Sequence, residues 1–413
     1  MSSNLKIIVI GGGAGGLCLA QGLKKAGIGV EVYERDAAPT SRMAGYRLSI
    51  SPSGAQALRA CLPADLYAQF ALESGRPIRR VSFVDHHLKT LLAFDLRDID
   101  RASPTAERPI ARAALRRLLL AGLGEIVHFG KRLVSCETTS DQRAVAHFDD
   151  GTSVGADLIV GADGANSRTR AALLPGHARN DLGILAFGGK IPLGNVSRDL
   201  IPAPVLLGPT LAMGPRGRFM FASALEYEDL VNQAPREEYA MWGVSAPRAQ
   251  LGIADPTSLD PPALRAAARA IVADWDPSLR GLVEAADLGS LTTFPIRAAV
   301  EVKPWPTQRI TLLGDALHNM PPYRGVGANV ALWDAALLTD TLARVSQRRA
   351  PLLAALGDYE RAIVANGFPA VRRSVAAARR FHSESAIGYF VAKTIFRAIG
   401  FAAPLREAAL GGR

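Results

Sequence analysis

Lys6-Ile7-Ile8-Val9-Ile10 runs directly into Gly11-Gly12-Gly13-Ala14-Gly15-Gly16, and a helical pattern over Leu17–Ala26 leads to a second apolar run, Gly29–Tyr33, that ends at Glu34. The first run reads as a buried parallel strand. The glycines carry a G-x-G-x-x-G spacing in which each member has a mechanical job. Gly11 permits the tight turn, Gly13 lets backbone amides approach a pyrophosphate, and Gly16 lets helix and strand pack closely. The helix start offers free N–H groups and the positive end of its dipole to phosphates. Glu34, twenty-three residues after Gly11, is placed to accept hydrogen bonds from a ribose. Strand, glycines, helix, strand and acid fall in register, and the reading is a dinucleotide site for FAD or NAD(P).

Composition sets the outer limits. The chain has 413 residues, 48% hydrophobic and 21% charged, enough for a large core and two domains. No run of about 18 apolar residues occurs, so a spanning helix is not expected. The first strand follows at once on Met1–Asn4, which leaves no room for a signal peptide and suggests a cytoplasmic protein. Cys18, Cys61 and Cys136 are odd in number and widely spaced, suggesting a reduced compartment without disulfides. No spaced His/Cys/Glu cluster suggests a metal. The net charge of +10 is scattered in pairs such as Arg79-Arg80, Arg116-Arg117, Arg348-Arg349 and Arg372-Arg373, mostly on Ala- and Leu-rich helical stretches. Those read as solvated helix faces, and nucleic acid is not an expected partner. The positive field favours an anionic substrate or cofactor.

Further along, Arg42–Ser51 reads as extended and Pro52-Ser53-Gly54 as a helix start. Arg112–Leu120 reads as a helix with Leu115, Leu118 and Leu119 on one face. Strands are expected over Val127–Phe129, Leu133–Thr138, Ala144–Phe148 and Ser153–Val160, with a hairpin turn at Asp149-Asp150-Gly151. Gly151-Thr152-Ser153-Val154-Gly155 mimics the G-x-S-x-G elbow of hydrolases. That elbow needs a strand before it and a helix after it, and here a turn precedes it and a strand follows, so a serine nucleophile is rejected. Residues 183–300 are richer in Gly, Pro and aromatics, with strands expected at Ile184–Ile191, Val205–Met213, Arg218–Ala224, Ala240–Val244 and Ser290–Val300. Phe187, Met213, Phe219, Phe221, Trp242 and Phe294 are expected mostly in the core of this second, sheet-rich domain. Arg309–Leu313 returns as a strand, Ala328–Val345 as a long helix, and the remainder as helices. The last of these, Ile387–Phe401, is amphipathic and is expected to pack over the body, with membrane contact not expected.

Two later motifs choose between the cofactors. Asp163-Gly164 with Arg170, and Gly314-Asp315 with His318, Pro322, Gly325, Gly327 and Asn329, resemble the DG and GD fingerprints of group A flavoprotein monooxygenases, the p-hydroxybenzoate hydroxylase-like superfamily. The resemblance runs from Ile7 to about Leu338, with the motifs in the family's order and spacing. It implies an α/β fold: a discontinuous Rossmann-like FAD-binding domain (1–180 and 301–350), an inserted sheet-rich substrate domain (181–300) and C-terminal helices (351–413).

The resemblance also implies residue roles. Gly11, Gly13, Ala14 and Gly16 would hold the FAD pyrophosphate and Glu34 the adenosine ribose. Arg35 resembles a basic residue at the edge of the adenine site, and Leu133 sits where a backbone contact to adenine is usual. Arg112, in R-x-x-L-x-x-x-L, resembles the arginine that reaches the ribityl–phosphate region, which Asp315 would also bind. Gly327, Ala328 and Asn329 would lie under the pyrimidine edge of the isoalloxazine, where a helix N-terminus favours the charge of reduced flavin. Asp163 and Gly164 resemble a motif serving both FAD and NADPH. Gly45 opens the segment Gly45–Ile50, which departs from the G-x-G-I form of many relatives and is a further cofactor-side candidate. Within that segment Arg47 faces substrate, flavin or solvent. Lys190 reads as a strand-edge lysine and His318 as a structural hydrogen-bonding residue.

The implied activity is a monooxygenase in which NADPH (or NADH) reduces FAD and O2 forms a C4a-hydroperoxyflavin that oxygenates an aromatic or polycyclic small molecule. Epoxidation and Baeyer–Villiger insertion use the same machinery. A dehydrogenase or reductase of the same fold is the alternative. No second G-x-G-x-x-G follows a strand, so a separate NADPH domain is not expected. The expected partners are a small-molecule substrate and O2, with the chain a monomer or homodimer.

Overall fold

The computed structural model describes residues 5–41, 46–96, 107–228 and 236–401. Gly45, among the expected cofactor-side residues, lies outside them. The chain divides into two compact units, one made of residues 1–74, 103–180 and 297–375, the other of 75–102, 181–296 and 376–413.

The first unit is built on a parallel sheet of five strands in the order Ile310–Leu312, Leu158–Gly161, Lys6–Ile10, Gly29–Tyr33, Val127–His128. Ile7, Ile8, Val9, Leu158, Ile159 and Val160 have no solvent exposure, as strands covered on both faces require. An antiparallel meander of Leu133–Thr138, Ala144–Phe148 and Ser153–Ala156 and a two-stranded ribbon of Arg47–Ile50 with Arg108–Ala111 complete its strands among the described residues.

Two expectations shift here. The first helix spans Ala14–Lys25, so Ala14, Gly15 and Gly16 are its opening turn, not a loop ahead of it. Its early start follows from packing: a Cβ on Gly16 would sit 2.1 Å from the Gly11 carbonyl oxygen, so only glycine lets this turn close on the strand. The run Ser153–Val160 is two strands in two sheets, broken at Asp157. There Lys6 N donates to the Asp157 carboxylate at 2.8 Å and Asp157 N to the Lys6 carbonyl at 2.9 Å, which turns the chain from the meander into the parallel sheet.

The second unit carries a mixed sheet of seven strands, ordered Thr292–Ala299, Arg179–Pro192, Tyr239–Pro247, Phe219–Leu225, Thr210–Met213, Arg80–Asp85, Thr90–Asp95. Residues 80–95, expected in the first domain, belong here because Arg80–Asp85 pairs in parallel with Thr210–Met213. The expected strand Val205–Met213 is a short helix, Ala203–Leu207, followed by the strand Thr210–Met213. Gly208, at φ +150°, makes the break between them. Phe187, Met213, Phe219 and Trp242 are core as expected, whereas Phe294 is 40% exposed. The helices Leu352–Phe381 and Ala386–Phe401 do not form a unit of their own.

Candidate cofactor site

In the first unit the motif residues converge because parallel strands deliver their following loops to one edge of the sheet, the carboxyl ends, where open α/β sheets bind ligands. The glycine turn follows Lys6–Ile10, Glu34 follows Gly29–Tyr33, Asp163-Gly164 follows Leu158–Gly161, and Gly314-Asp315 follows Ile310–Leu312. These four loops therefore sit side by side.

The glycine turn is shaped for close approach. Gly11, at φ +108°, donates to the Tyr33 carbonyl at 2.9 Å, and a Cβ there would lie 2.5 Å from the Ala162 carbonyl oxygen. Gly13 caps the helix at φ −82°, and a Cβ added to it meets nothing within 4 Å. That open cradle in front of a helix start is what a pyrophosphate needs. Gly12 N donates to Glu34 Oε2 at 2.6 Å, and Asp36 N donates to Glu34 Oε1 at 2.9 Å. The buried Glu34 carboxylate is thereby locked in orientation, with a lone pair left on each oxygen.

Gly314, at φ +61° and ψ −142°, occupies backbone space that only glycine enters readily. It is held by Asp334, whose Oδ2 accepts the Gly314 N–H at 2.8 Å and lies 2.7 Å from His318 Nε2. His318 and Asp334 are fully buried. Burial alone would lower the His318 pKa, but the Asp334 carboxylate outweighs it and the imidazole binds its proton more tightly than usual. His318 is thus the structural residue expected. The turn it braces leaves Asp315 exposed at the strand end.

The helix Gly327–Ser346 begins beside that carboxylate: a Cβ on Gly327 would lie 3.9 Å from Asp315 Oδ1. The bond from Val330 N to the Val326 carbonyl at 3.1 Å opens the helix, so the Gly327, Ala328 and Asn329 N–H groups precede its hydrogen-bond ladder. The Asn329 side chain is engaged elsewhere. Its Oδ1 accepts Ser51 N at 2.9 Å and its Nδ2 donates to the Ser49 carbonyl at 2.9 Å. Asn329 therefore ties the Arg47–Ile50 ribbon to the helix start through its side chain.

Asp163 also spends its side chain locally. It accepts from Ser167 Oγ at 2.5 Å, Arg168 N at 2.8 Å and Thr169 N at 3.1 Å, capping the helix Arg168–Leu173 and leaving the loop backbone as the available surface. Arg170 joins the two motif loops, donating to the Ala316 carbonyl at 2.7 Å and the Ala165 carbonyl at 3.0 Å. Of the other expected residues, only Arg35 lies at a strand end of the parallel sheet. Arg35 is exposed directly after Glu34, and Leu133 is buried at the start of the meander. Arg112 is exposed at the first position of the helix Arg112–Leu120. A cation at a helix N-terminus opposes the dipole, a local cost that a phosphate neighbour would offset. Arg47 is buried, with Nη1 donating to Ser49 Oγ at 3.1 Å, so the solvent reading of that residue is excluded.

Sequence reasoning missed Asp334 as the brace of the Gly314 turn and Arg116 as a brace of the Glu34 loop. Arg116 Nη1 lies 3.1 Å from Asp36 Oδ2. The signal for Asp334 was present, an acid set within the apolar first half of the helix pattern.

Comparison with known proteins gives the chain a family. A family model described as an FAD binding domain matches residues 266–367, and one described as an NAD(P)-binding Rossmann-like domain matches residues 9–75. The chain is 32% identical over 378 residues to the FAD-dependent monooxygenase dbaB of Emericella nidulans, covering 82% of this chain and 86% of that protein. It is 28% identical over 342 residues to the FAD-dependent urate hydroxylase of Mycolicibacterium vanbaalenii, covering 81% and 78%. A solved structure from Photorhabdus luminescens, described as an FAD-containing monooxygenase on prediction alone, superposes with a TM-score of 0.81 at 31% identity, covering 92% of this chain and 100% of that one. The chain belongs to the FAD-dependent monooxygenases. It spans less than half the length of other curated relatives, the dual O-methyltransferase/FAD-dependent monooxygenases, with 46% of the protein CTB3 from Cercospora beticola covered.

Proposed function

We propose that the chain is an NAD(P)H-using monooxygenase that inserts one oxygen atom from O2 into an aromatic or polycyclic small molecule. The observation that carries this reading is the pairing at the sheet edge of an open glycine cradle with an exposed Asp315 beside a helix N-terminus. Those features suit the two ends of one extended FAD. The urate hydroxylase relative supports an aromatic substrate.

In this reading the Gly11–Gly16 turn binds the pyrophosphate through backbone N–H groups, and Glu34 accepts from the adenosine ribose. Arg35 and the Leu133 backbone border the adenine. Arg112 and Asp315 would hold the ribityl–phosphate region. The N–H groups of Gly327, Ala328 and Asn329 face the pyrimidine edge, and the helix dipole behind them favours negative charge there. Bound FAD supplies the redox and oxygen chemistry; the chain supplies position and a site closed to water. The loop backbone at Asp163-Gly164 serves the nicotinamide nucleotide, and the sheet of the second unit provides the substrate-binding surface.

The test is oxidation of NADPH and NADH by the FAD-loaded protein against a panel of aromatic compounds in isotopically labelled O2. Stimulated turnover with one labelled atom in the product supports the proposal. Turnover with no label in the product replaces it with the dehydrogenase or reductase reading.

A further inference from the structure

The helix Ala386–Phe401 in the second unit is fixed by one face and bare on the other. On the fixed face, Tyr389 Oη donates to the Met213 carbonyl at 3.2 Å and lies 3.1 Å from His86 Nδ1. Lys393 Nζ lies 2.8 Å from Asp85 Oδ2, and Phe396 stacks on Phe83 at 4.8 Å between ring centroids. On the opposite face, Ile387, Phe390, Val391 and Ile395 are 78, 70, 46 and 53% exposed. Their spacing of i, i+3, i+4 and i+8 makes one continuous stripe. The expectation that this helix packs over the body thus describes half of it.

The charge on the helix itself has one sign. The helix contains Lys393 and Arg397 and no acid, and Arg397 is exposed. The turn Pro215–Gly217, which packs against the helix, adds the exposed Arg216. Of the nearby acids, Asp85 is paired with Lys393, while the exposed Glu384 accepts from the neutral Gln250 Nε2 at 2.7 Å and keeps its charge at the start of the helix. A second copy of the chain docked on this stripe would bring the exposed Arg397 of each copy towards the other. One stripe of four side chains is also small against the roughly 800 Å² per partner of a stable protein interface. A lipid surface makes neither demand. Each apolar side chain enters the acyl boundary on its own account, and basic residues at the rim meet anionic headgroups.

We propose that this face docks the protein peripherally on an anionic membrane surface, with Ile387, Phe390, Val391 and Ile395 inserted and Arg216 and Arg397 at the headgroups. No helix among the described residues is long and apolar enough to cross a membrane, so the contact is one of lying on the surface. It is independent of which substrate the enzyme takes.

The experiment is flotation of the full FAD-loaded chain with vesicles of phosphatidylcholine, alone or with a quarter phosphatidylglycerol. The expected result is partitioning onto the anionic vesicles about tenfold or more above the neutral ones, weakening with added salt. The double variant Ile387→Ser with Phe390→Ser should lose binding by at least about tenfold. Both side chains are largely exposed, so its melting temperature and flavin content should match wild type; if they do not, Arg397→Gln serves as the control and should weaken only the anionic preference. Absence of wild-type binding to either vesicle overturns the proposal. So does a concentration-dependent dimer in sedimentation velocity that the same double variant abolishes, since the stripe would then be an interface between copies. Binding gained only on removal of residues 402–413 overturns it as well, by assigning the stripe to the chain's own terminus.

Discussion

The imidazole of His318 and the carboxylate of Asp334, sixteen residues apart, meet at 2.7 Å with neither side chain exposed to solvent. Through the 2.8 Å bond from Gly314 N to the same carboxylate oxygen, this pair holds the turn that presents Asp315. Replacing Asp334 by Ala strands a buried N–H and a buried imidazole. The expected cost is about 3–5 kcal/mol in chemical denaturation, with FAD retention lost alongside.

The same pair gives stability a pH dependence. His318 has its pKa raised from an ordinary 6.5 in the folded chain. Its stabilisation is therefore complete below that ordinary value and fades as pH rises through the folded one. Melting temperatures of the flavin-free chain should decline on this alkaline side, and His318→Gln should flatten that part of the profile while lowering its acid end.

Gly11 and Gly13 separate folding from binding. Gly11→Ala places a Cβ 2.5 Å from the Ala162 carbonyl oxygen at φ +108° and should destabilise the fold itself by about 1–3 kcal/mol. Gly13→Ala sits at φ −82° facing open space, so its fold should change by less than about 1 kcal/mol. Its FAD affinity should nevertheless fall by about tenfold or more, the cost of one lost charged hydrogen bond. Parallel melting curves and flavin titrations read the two effects.

Asp315 is exposed and braced from below. Asp315→Ala should leave the melting temperature of the flavin-free chain nearly unchanged and weaken FAD binding about ten- to hundredfold. An equal loss of stability and affinity would instead make Asp315 a residue of the fold.

Asn329 should show the opposite balance. Asn329→Leu removes the acceptor of Ser51 N and the donor to Ser49 O, and its branched side chain meets Gly54, where a Cβ would already sit 2.2 Å from Asn329 Oδ1. A stability loss of about 2–4 kcal/mol is expected in urea denaturation.

The nucleotide-binding half was legible because its physics is local in sequence. The Lys6–Glu34 stretch names its own strand, turn, helix and acid, and the structure places each within a few residues of the reading. The second unit was less legible. The hairpin 80–95 joins it through a parallel pairing with Thr210–Met213, residues more than a hundred positions away, and no local periodicity announces such a pairing. Val205–Leu207 carries strand-like residues that tertiary packing holds in a helix. Side-chain roles at the site were partly hidden for a related reason. Asn329 stands in the first turn of the expected helix and Asp163 just past the expected strand, but their polar atoms are committed to neighbours that only the fold brings close.

The most direct test of the whole account is the flavin stoichiometry of the purified chain, measured from visible absorbance after titration with FAD and from cofactor released on denaturation. The account predicts one FAD per chain, with binding weakened by about tenfold or more in Gly13→Ala and Asp315→Ala while both remain folded. A folded wild-type chain that stays colourless and takes up no FAD would contradict it.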